Sequence, residues 1–326
     1  MSKRIIALLL ALVMVFALCA CGKGGDGGNN AGNDDVGDET YTIRIACENS
    51  DSYPATLGLY QMEKYVESHT NGKVQVEVCA SGQLGGEEET LEQVAQGNLE
   101  MAVASFAPVV SYVPEFEVMD IPFVYNSYTE AWMVLDSYVG TNLLDKMEAQ
   151  GLKGMAYMEN GMRQVTSNVS AINSIADFKG VKLRTMQNNN HMESFSALGA
   201  NPTPVAFSEL YISLSQKVVD AQENPIANVT DKKLYEVQKY LSLTNHIYDA
   251  MPLVCNLEFF NSLPQAYQKV VQAGAIYAQE FSRFCNLERE DLILADLADK
   301  YGMQINEVSA DARAEMAKVA QPDVIK

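Results

Sequence analysis

The run YTIRIAC, residues 41–47, alternates Ile43 and Ile45 with Thr42 and Arg44, the two-residue period of a strand with one face turned inward. ENSDSYP then turns the chain. In TLGLYQMEKYVESHTNG the apolar Leu59, Met62, Tyr65 and Val66 recur at helical steps up to the Asn71-Gly72 stop, which predicts a helix. KVQVEVCA (73–80) predicts a second strand and MAVASFA (101–107) a third. Between them EEETLEQVAQGNLE (87–100) predicts a helix whose first turn carries acids, where they suit the macrodipole.

The pattern restarts after the middle of the chain. VKLRTM (181–186) alternates Val181 and Leu183 with Lys182 and Arg184, so Arg184 is expected near the C-terminal end of a strand. FSELYISLSQK (207–217) predicts a helix, VVDAQENP a short strand that Pro225 ends, and KLYEVQKYLSLT (233–244) another helix through Leu234, Val237 and Leu241. PQAYQKVVQAGAIYAQEFSRFCNLERED (264–291) predicts a long helix with Tyr267, Val270, Val271, Tyr277, Phe281 and Phe284 facing the core. Gly274 falls on the same stripe, where the missing side chain permits close packing. Strand and helix alternate in both halves, which calls for parallel α/β sheets covered by helices. Ligands of such sheets sit beyond the carboxyl ends of strands, here residues 46–50, 104–107, 184–189 and 220–226.

The N-terminus sets the compartment. MSKR is followed by IIALLLALVMVFALCA, an uncharged apolar run too short for a membrane span of about twenty residues, and this predicts a secretory signal peptide over residues 1–20. Its ending, LCAC, resembles a bacterial lipobox, which makes Cys21 the expected site of lipid attachment to the outer face of the cytoplasmic membrane. The Gly-, Asn- and Asp-rich stretch that follows, to residue 40, cannot bury enough to order itself and is expected to be a tether.

Composition narrows the chemistry. At 326 residues and 48% hydrophobic content the chain suits about two domains, and its net charge of −19 argues against a nucleic-acid partner. Cys47, Cys79, Cys255 and Cys285 lack zinc-site spacing and each lies in an apolar segment; a Cys47–Cys79 disulfide stays open. His69, His191 and His246 are too scattered to suggest a metal, no cofactor is expected, and there is no G-x-S-x-G or metal-spaced histidine pair to suggest an enzyme.

VVDAQENPIANV (218–229) crowds Asp220, Gln222, Glu223, Asn224 and Asn228 around Pro225. A guanidinium at a strand end, such as Arg184, can hold a carboxylate through two parallel N–H donors; the alternative is a surface arginine on an edge strand. Asn224 can donate to and accept from a carboxylate or hydroxyl, or simply form a turn.

The runs LGANPTPVAFSELYISLSQKVVDAQENPIANV…KLYEVQKYLSLTNHIY (198–248), NGMRQVTSNVSAINSIADFKGVKLRT (160–185) and GKVQVEVCASGQLGGEEETLEQVAQGNLEMAV together resemble the DctP-type substrate-binding proteins of tripartite ATP-independent periplasmic (TRAP) transporters. The resemblance implies an α/β, two-lobed, periplasmic-binding-protein-like (Venus flytrap) fold with a long helix spanning both lobes, closing on ligand by hinge motion. Lobe I is expected at 41–161 plus 250–289 and lobe II at 162–249 plus 290–326. It also implies that Arg184 makes a bidentate pair with the ligand's carboxylate, that Arg163 adds a second contact, and that Asn224 and Phe207 line the pocket. Glu48 and Ser105 match positions across the cleft. For Arg163 a structural role beside a nearby acid is the alternative, and for Glu48 that of a solvated loop acid. The family usually has Gly where Lys217 and Ala221 stand, and its sialic-acid binders carry a glutamate where Ser105 stands, which counts against that ligand. The expected protein is a monomeric receptor that delivers an organic acid to TRAP membrane subunits. Glu48 tilts the expectation toward a hydroxylated sugar acid such as a uronate; a C4-dicarboxylate or keto-acid receptor, or a ligand-sensing lipoprotein of the same fold, are the alternatives.

Overall fold

The computed structural model describes residues 39–325; the expected signal peptide, Cys21 and most of the tether lie outside the described residues. The chain opens with β1 (Tyr41–Ala46), α1 (Pro54–His69), β2 (Val74–Cys79), α2 (Glu87–Ala95) and β3 (Met101–Val103). Helices α3 (Phe106–Val109), α4 (Tyr128–Leu135) and α5 (Tyr138–Lys146) follow, with a 3-10 segment at Pro114–Asp120. Next come β4 (Leu152–Ser167), β5 (Lys182–Thr185), α6 (Asn189–Ala197), β6 (Asn201–Pro204), α7 (Leu210–Ser215), β7 (Ala221–Pro225) and α8 (Ile226–Asp231). The chain finishes with β8 (Tyr240–Leu243), β9 (Tyr248–Asn256), α9 (Leu257–Ser262), α10 (Gln265–Asp299), β10 (Gln304–Glu307) and α11 (Ala310–Val324).

The strands run in the order β2-β1-β3-β9-β4-β7-β5-β6, with β8 pairing β4 and β10 pairing β8. Both halves contain the expected parallel pairs: β1 with β2 and β3, and β5 with β6 and β7. Antiparallel β9 and β4 join them, and every residue of β9 is buried, as befits a strand covered on both faces. β4 serves both halves. Up to Met162 it pairs with β9, and from Arg163 onward with β7. A register shift between Glu159 and Gly161 marks the change, with Gly161 at φ 125°, a conformation that favours glycine.

Two apolar clusters pack against the first half, one through Ile43, Leu59, Met62 and Val271, the other through Leu91, Phe106, Phe116 and Tyr248. Two more pack against the second, one around Leu183 and Phe195, the other around Leu210, Leu241 and Leu297. The fold is therefore two-lobed α/β, and α10 spans both lobes: Val271 and Ala275 belong to a first-half cluster and Leu297 to a second-half one. The expected close approach at Gly274 is present, since a Cβ there would stand 2.8 Å from Val66 Cγ2 of α1.

Several elements differ from the sequence expectation. Residues 233–244 are not a helix: Lys233 takes φ 52°, a 3-10 turn covers Leu234–Glu236, and Tyr240–Leu243 form β8. Leu241 is opposite Thr166 on one side and Ile305 on the other, so strand pairing overrides a helical spacing. The third strand stops at Val103 and Phe106–Val109 is helical; Ala104 N still donates to Pro252 O at 3.3 Å before the chain turns away. α2 stops at Ala95, ahead of Gly97 at φ 75°. α10 runs on to Asp299, and its buried stripe is Tyr267, Val271, Gly274, Ala278 and Ser282. Tyr277 and Phe284, expected inside, are 46% and 57% exposed. The four described cysteines are buried and free. Cys79 ends β2 and Cys47 directly follows the neighbouring β1, yet the Cys47 thiol lies 3.4 Å from Thr56 Oγ1 while the Cys79 thiol points to Glu77 O at 3.9 Å.

Candidate functional site

The carboxyl ends of β1 and β3 on one side and of β5 and β7 on the other converge on one cleft. Arg184 is the last residue but one of β5, which lies between β7 and β6 and is not an edge strand; it is the register partner of Gln222 and lines one recess with Asn224, two residues further along β7. Glu48 lies two residues past β1, and Ser105 two residues past β3. A cavity of about 200 Å³ opens between these ends, lined by Glu48, Glu87, Arg184, Met186, Gln187 and Phe207 among others. A narrow recess of about 10 Å³, room for roughly one water, continues inward past Ser105, Asn160, Asn224 and Asn228. Glu87, Arg184, Met186 and Phe207 line both chambers.

Arg184 is 1% exposed, although its sequence alternation places it on the polar face with Lys182. Its Nε donates to Val205 O at 2.8 Å and its buried Nη1 has no hydrogen-bond partner. Burial lowers its pKa to about 10, partly countered by Glu223, so it stays cationic at neutral pH. Glu48 is 7% exposed and not a solvated acid. Its Oε2 accepts from Glu87 N at 3.2 Å, while its buried Oε1 has no hydrogen-bond partner; Lys232 Nζ stands 3.9 Å away. Burial raises the Glu48 pKa against the pull of Lys232. Ser105 donates from both N and Oγ to Glu87 Oε1, at 3.2 and 3.0 Å. The ring of Phe207 carries Lys232 Nζ 4.6 Å from its centroid.

Arg163 is not brought to the cavity. Its guanidinium is fully buried behind Asn224, with Nε and Nη2 donating to the Glu223 carboxylate, Nη1 to Asp249 Oδ2 at 2.7 Å and Nη2 also to Asn224 Oδ1 at 3.3 Å. Its donors are engaged by internal acids and by Asn224, the arrangement that the structural alternative expects, and it backs the wall that carries Asn224. His246 Nε2 lies 3.1 Å from Glu223 Oε2, and His191 lies 3.6 Å from Glu223 Oε1 and 3.3 Å from Asp120 Oδ1. Burial alone would raise the Glu223 carboxyl, but Arg163 and the two imidazoles hold it well below the usual range. Burial would lower His191, yet Asp120 and Glu223 raise it to about 9.

An amide chain ties the two sides together. Asn49 donates to Asn228 Oδ1 at 2.9 Å, Asn228 donates to Asn160 Oδ1 at 3.1 Å and to Asn224 Oδ1 at 3.2 Å, and Asn160 donates to Asp249 Oδ2 at 2.7 Å. Sequence reasoning missed Glu87 because it followed the ends of β1, β3, β5 and β7, not the loop after β2 that leads into α2. Asn49 falls inside the searched window at residues 46–50 but carries no distinguishing pattern. Asn160, His191, His246 and Asp249 meet only through distant pairings of β4, β7 and β9.

The model of a bacterial extracellular solute-binding protein family, family 7 (DctP), matches residues 45–326. The chain is 31% identical over 287 residues to the C4-dicarboxylate-binding periplasmic protein DctP of Rhodobacter capsulatus, covering 87% of this chain and 85% of that protein. It superposes with TM-score 0.85 and 33% identity on the sugar acid binding protein DctPAm from Advenella mimigardefordensis in complex with galactonate, over 88% of this chain and 92% of that one. A TRAP periplasmic solute binding protein from Polaromonas bound to D-erythronate matches with TM-score 0.82 and 33% identity, over 87% of this chain and 97% of that one. The chain belongs to the DctP family of bacterial extracellular solute-binding proteins, the substrate receptors of TRAP transporters.

Proposed function

We propose that this receptor is lipid-anchored through Cys21, captures a hydroxylated monocarboxylate of the sugar-acid class, and hands it to the membrane subunits of a TRAP transporter. The observation that carries the reading is the Arg184 guanidinium, buried at the cleft with Nη1 unpaired. A ligand carboxylate satisfies that donor, and a ligand hydroxyl satisfies the unpaired Glu48 Oε1 across the cleft. Asn224, Ser105 and Phe207 complete the set, with amide and hydroxyl groups for the ligand's oxygens and a ring for its carbon face. The relatives that bind galactonate and D-erythronate support this class. The dicarboxylate-binding relative supports a second reading, against which stands the lining of the cavity, where among the described residues Arg184 is the one arginine and Glu48, Glu87, Glu88 and Glu89 are acids.

On this reading residues 41–161 plus 250–289 form lobe I and residues 162–249 plus 290–326 form lobe II. The ligand favours the shut form because only that form offers Arg184 and Glu48 together. Calorimetry on the Arg184→Ala variant tests it. Leaving a buried carboxylate unpaired costs roughly 3–5 kcal/mol, so affinity is expected to fall by about two to three and a half powers of ten. Arg184→Lys is expected to restore only part, since an ammonium lacks the planar fork. Equal affinities for wild type and Arg184→Ala refute the assignment. For the anchor, Cys21→Ser is expected to move the protein from the membrane fraction to the soluble fraction; unchanged fractionation rejects lipid attachment there.

A further inference from the structure

A second cavity, of about 260 Å³, shares no lining residue with the Arg184 cleft and lies between the segment after Asp120 and helix α11. One wall is the face of α11 that carries Ala310, Ala314 and Ala317, residues three and four apart whose methyl groups make a flat apolar surface. The rings of Phe123 and Tyr125 line it from the other segment, and Asn126, Asn245 and Arg313 supply the polar groups. Its walls come from both halves of the molecule: Tyr125 packs with the cluster of Leu91, Phe106 and Tyr248, and Ala312 of α11 with that of Leu183 and Phe195. We propose that this cavity is a second ligand site, for a small carboxylate with a flat apolar body, and that Arg313 receives its charge.

The ligand's chemistry follows from what each group leaves unused. Arg313 is half-buried, and among the described residues its guanidinium makes no ion pair and no hydrogen bond. Glu130, the acid that holds this segment, accepts from Asn126 N and Nδ2 at 2.8 and 3.2 Å and is engaged there. Asn245 Oδ1 accepts from Gln164 Nε2, which leaves the Asn245 Nδ2 donors without a partner among the described residues. One cation and an amide donor lining the same cavity suit a monoanion, and the fork of a guanidinium matches a carboxylate. The remaining surface is two aromatic rings and three methyl groups, which favour a flat ring over a hydroxylated chain. The walls are in place before ligand arrives. Phe123 holds φ 59° and Asn245 φ 45°, conformations that residues other than glycine seldom adopt, and Phe123 N donates to His246 O at 2.6 Å. Gln321 Nε2 of α11 donates to Pro122 O at 2.9 Å and ties one wall to the other. A mostly apolar cavity between two halves, with a few polar groups, is the usual setting of a small-molecule site.

Fluorine NMR titration of the intact protein with 4-fluorobenzoate tests the site. Wild type is expected to shift and broaden the fluorine signal, and 4-fluorobenzamide, which has the ring without the charge, is expected to bind about tenfold more weakly. Arg313→Gln takes the cation from a side chain that holds no internal partner, so the fold is expected to be kept while 4-fluorobenzoate binds more weakly by about tenfold or more. Ala314→Leu keeps Arg313 and fills the cavity with a residue that favours helix; it is expected to weaken 4-fluorobenzoate to a similar degree. Arg184→Ala is expected to leave this binding unchanged, whatever Arg184 itself holds, which separates the site from the cleft. A wild type that leaves the fluorine signal unaltered overturns the proposal. So does an amide that binds as tightly as the acid, an unchanged 4-fluorobenzoate affinity in either α11 variant, or loss of binding in Arg184→Ala.

Discussion

Arg163 has its guanidinium closed by Glu223 and Asp249, whereas Arg184 gives one N–H to Val205 and leaves Nη1 bare. Both are wholly or almost wholly buried, so the difference lies in what surrounds them and not in how deep they sit. Removing Arg163 leaves two carboxylates in the interior without their counter-ion, which costs roughly 3–5 kcal/mol. Arg163→Met is therefore expected to lower the urea midpoint sharply, and a variant as stable as wild type contradicts the structural role. The sequence made both arginines visible as members of short runs, NGMR and VKLR, but could not rank them. Whether a guanidinium is free depends on acids brought from β7 and β9, which no local window contains.

Elements follow the chain's own periodicity wherever it is long. α1 read clearly from its apolar steps, and α10 read as a long helix although Tyr277 and Phe284, expected inside, are exposed; the glycine at their contact was legible too. A second glycine, Gly58, sits on the same helix pair: a Cβ there would lie 2.5 Å from Ala278 O, a backbone atom that cannot swing aside, and 2.8 Å from Met158 Cε. Gly58→Ala is expected to push α1 and α10 apart at a cost of about 1–3 kcal/mol, seen as a fall in melting temperature of roughly 2–4 °C per kcal/mol. An unchanged melting temperature shows that the pair yields more easily than this contact implies. Short elements read poorly. Leu234, Val237 and Leu241 have helical spacing, yet β8 forms because β4 and β10 offer strand partners on both sides of Leu241. A four-residue strand wins its conformation from neighbours distant in sequence, which is why YLSL alone did not declare it.

For the molecule as a whole, buried titratable groups set a pH dependence with a definite sign. Burial pushes the Glu159 carboxyl up to about 8, against hydrogen bonds from Trp132 and Tyr248, and burial with Glu48 pushes Glu87 to about 8. His191 is raised from 6.5 to about 9. Each raised group holds a proton in the folded chain that the unfolded chain releases earlier, so its stabilisation is present in acid and lost as pH rises through the folded value. Glu223, held well below its ordinary value, acts oppositely and loses its contribution only in acid. Between about pH 6.5 and 9 the raised groups dominate, each contributing a slope on the order of 1.4 kcal/mol per pH unit while it titrates. The urea midpoint of the ligand-free protein is expected to fall across that range; a flat or rising midpoint contradicts these protonation states. Sequence alone determined the alternating α/β architecture, the family and the candidate anion-binding arginine, because strand and helix periods and short motifs are written in contiguous residues. Tertiary structure alone decided which arginine keeps a free donor, that Glu87 joins Glu48 opposite it, and that two histidines share Glu223. Hydrogen-bond saturation and desolvation belong to groups that folding brings together, and neither quantity exists until the lobes have packed.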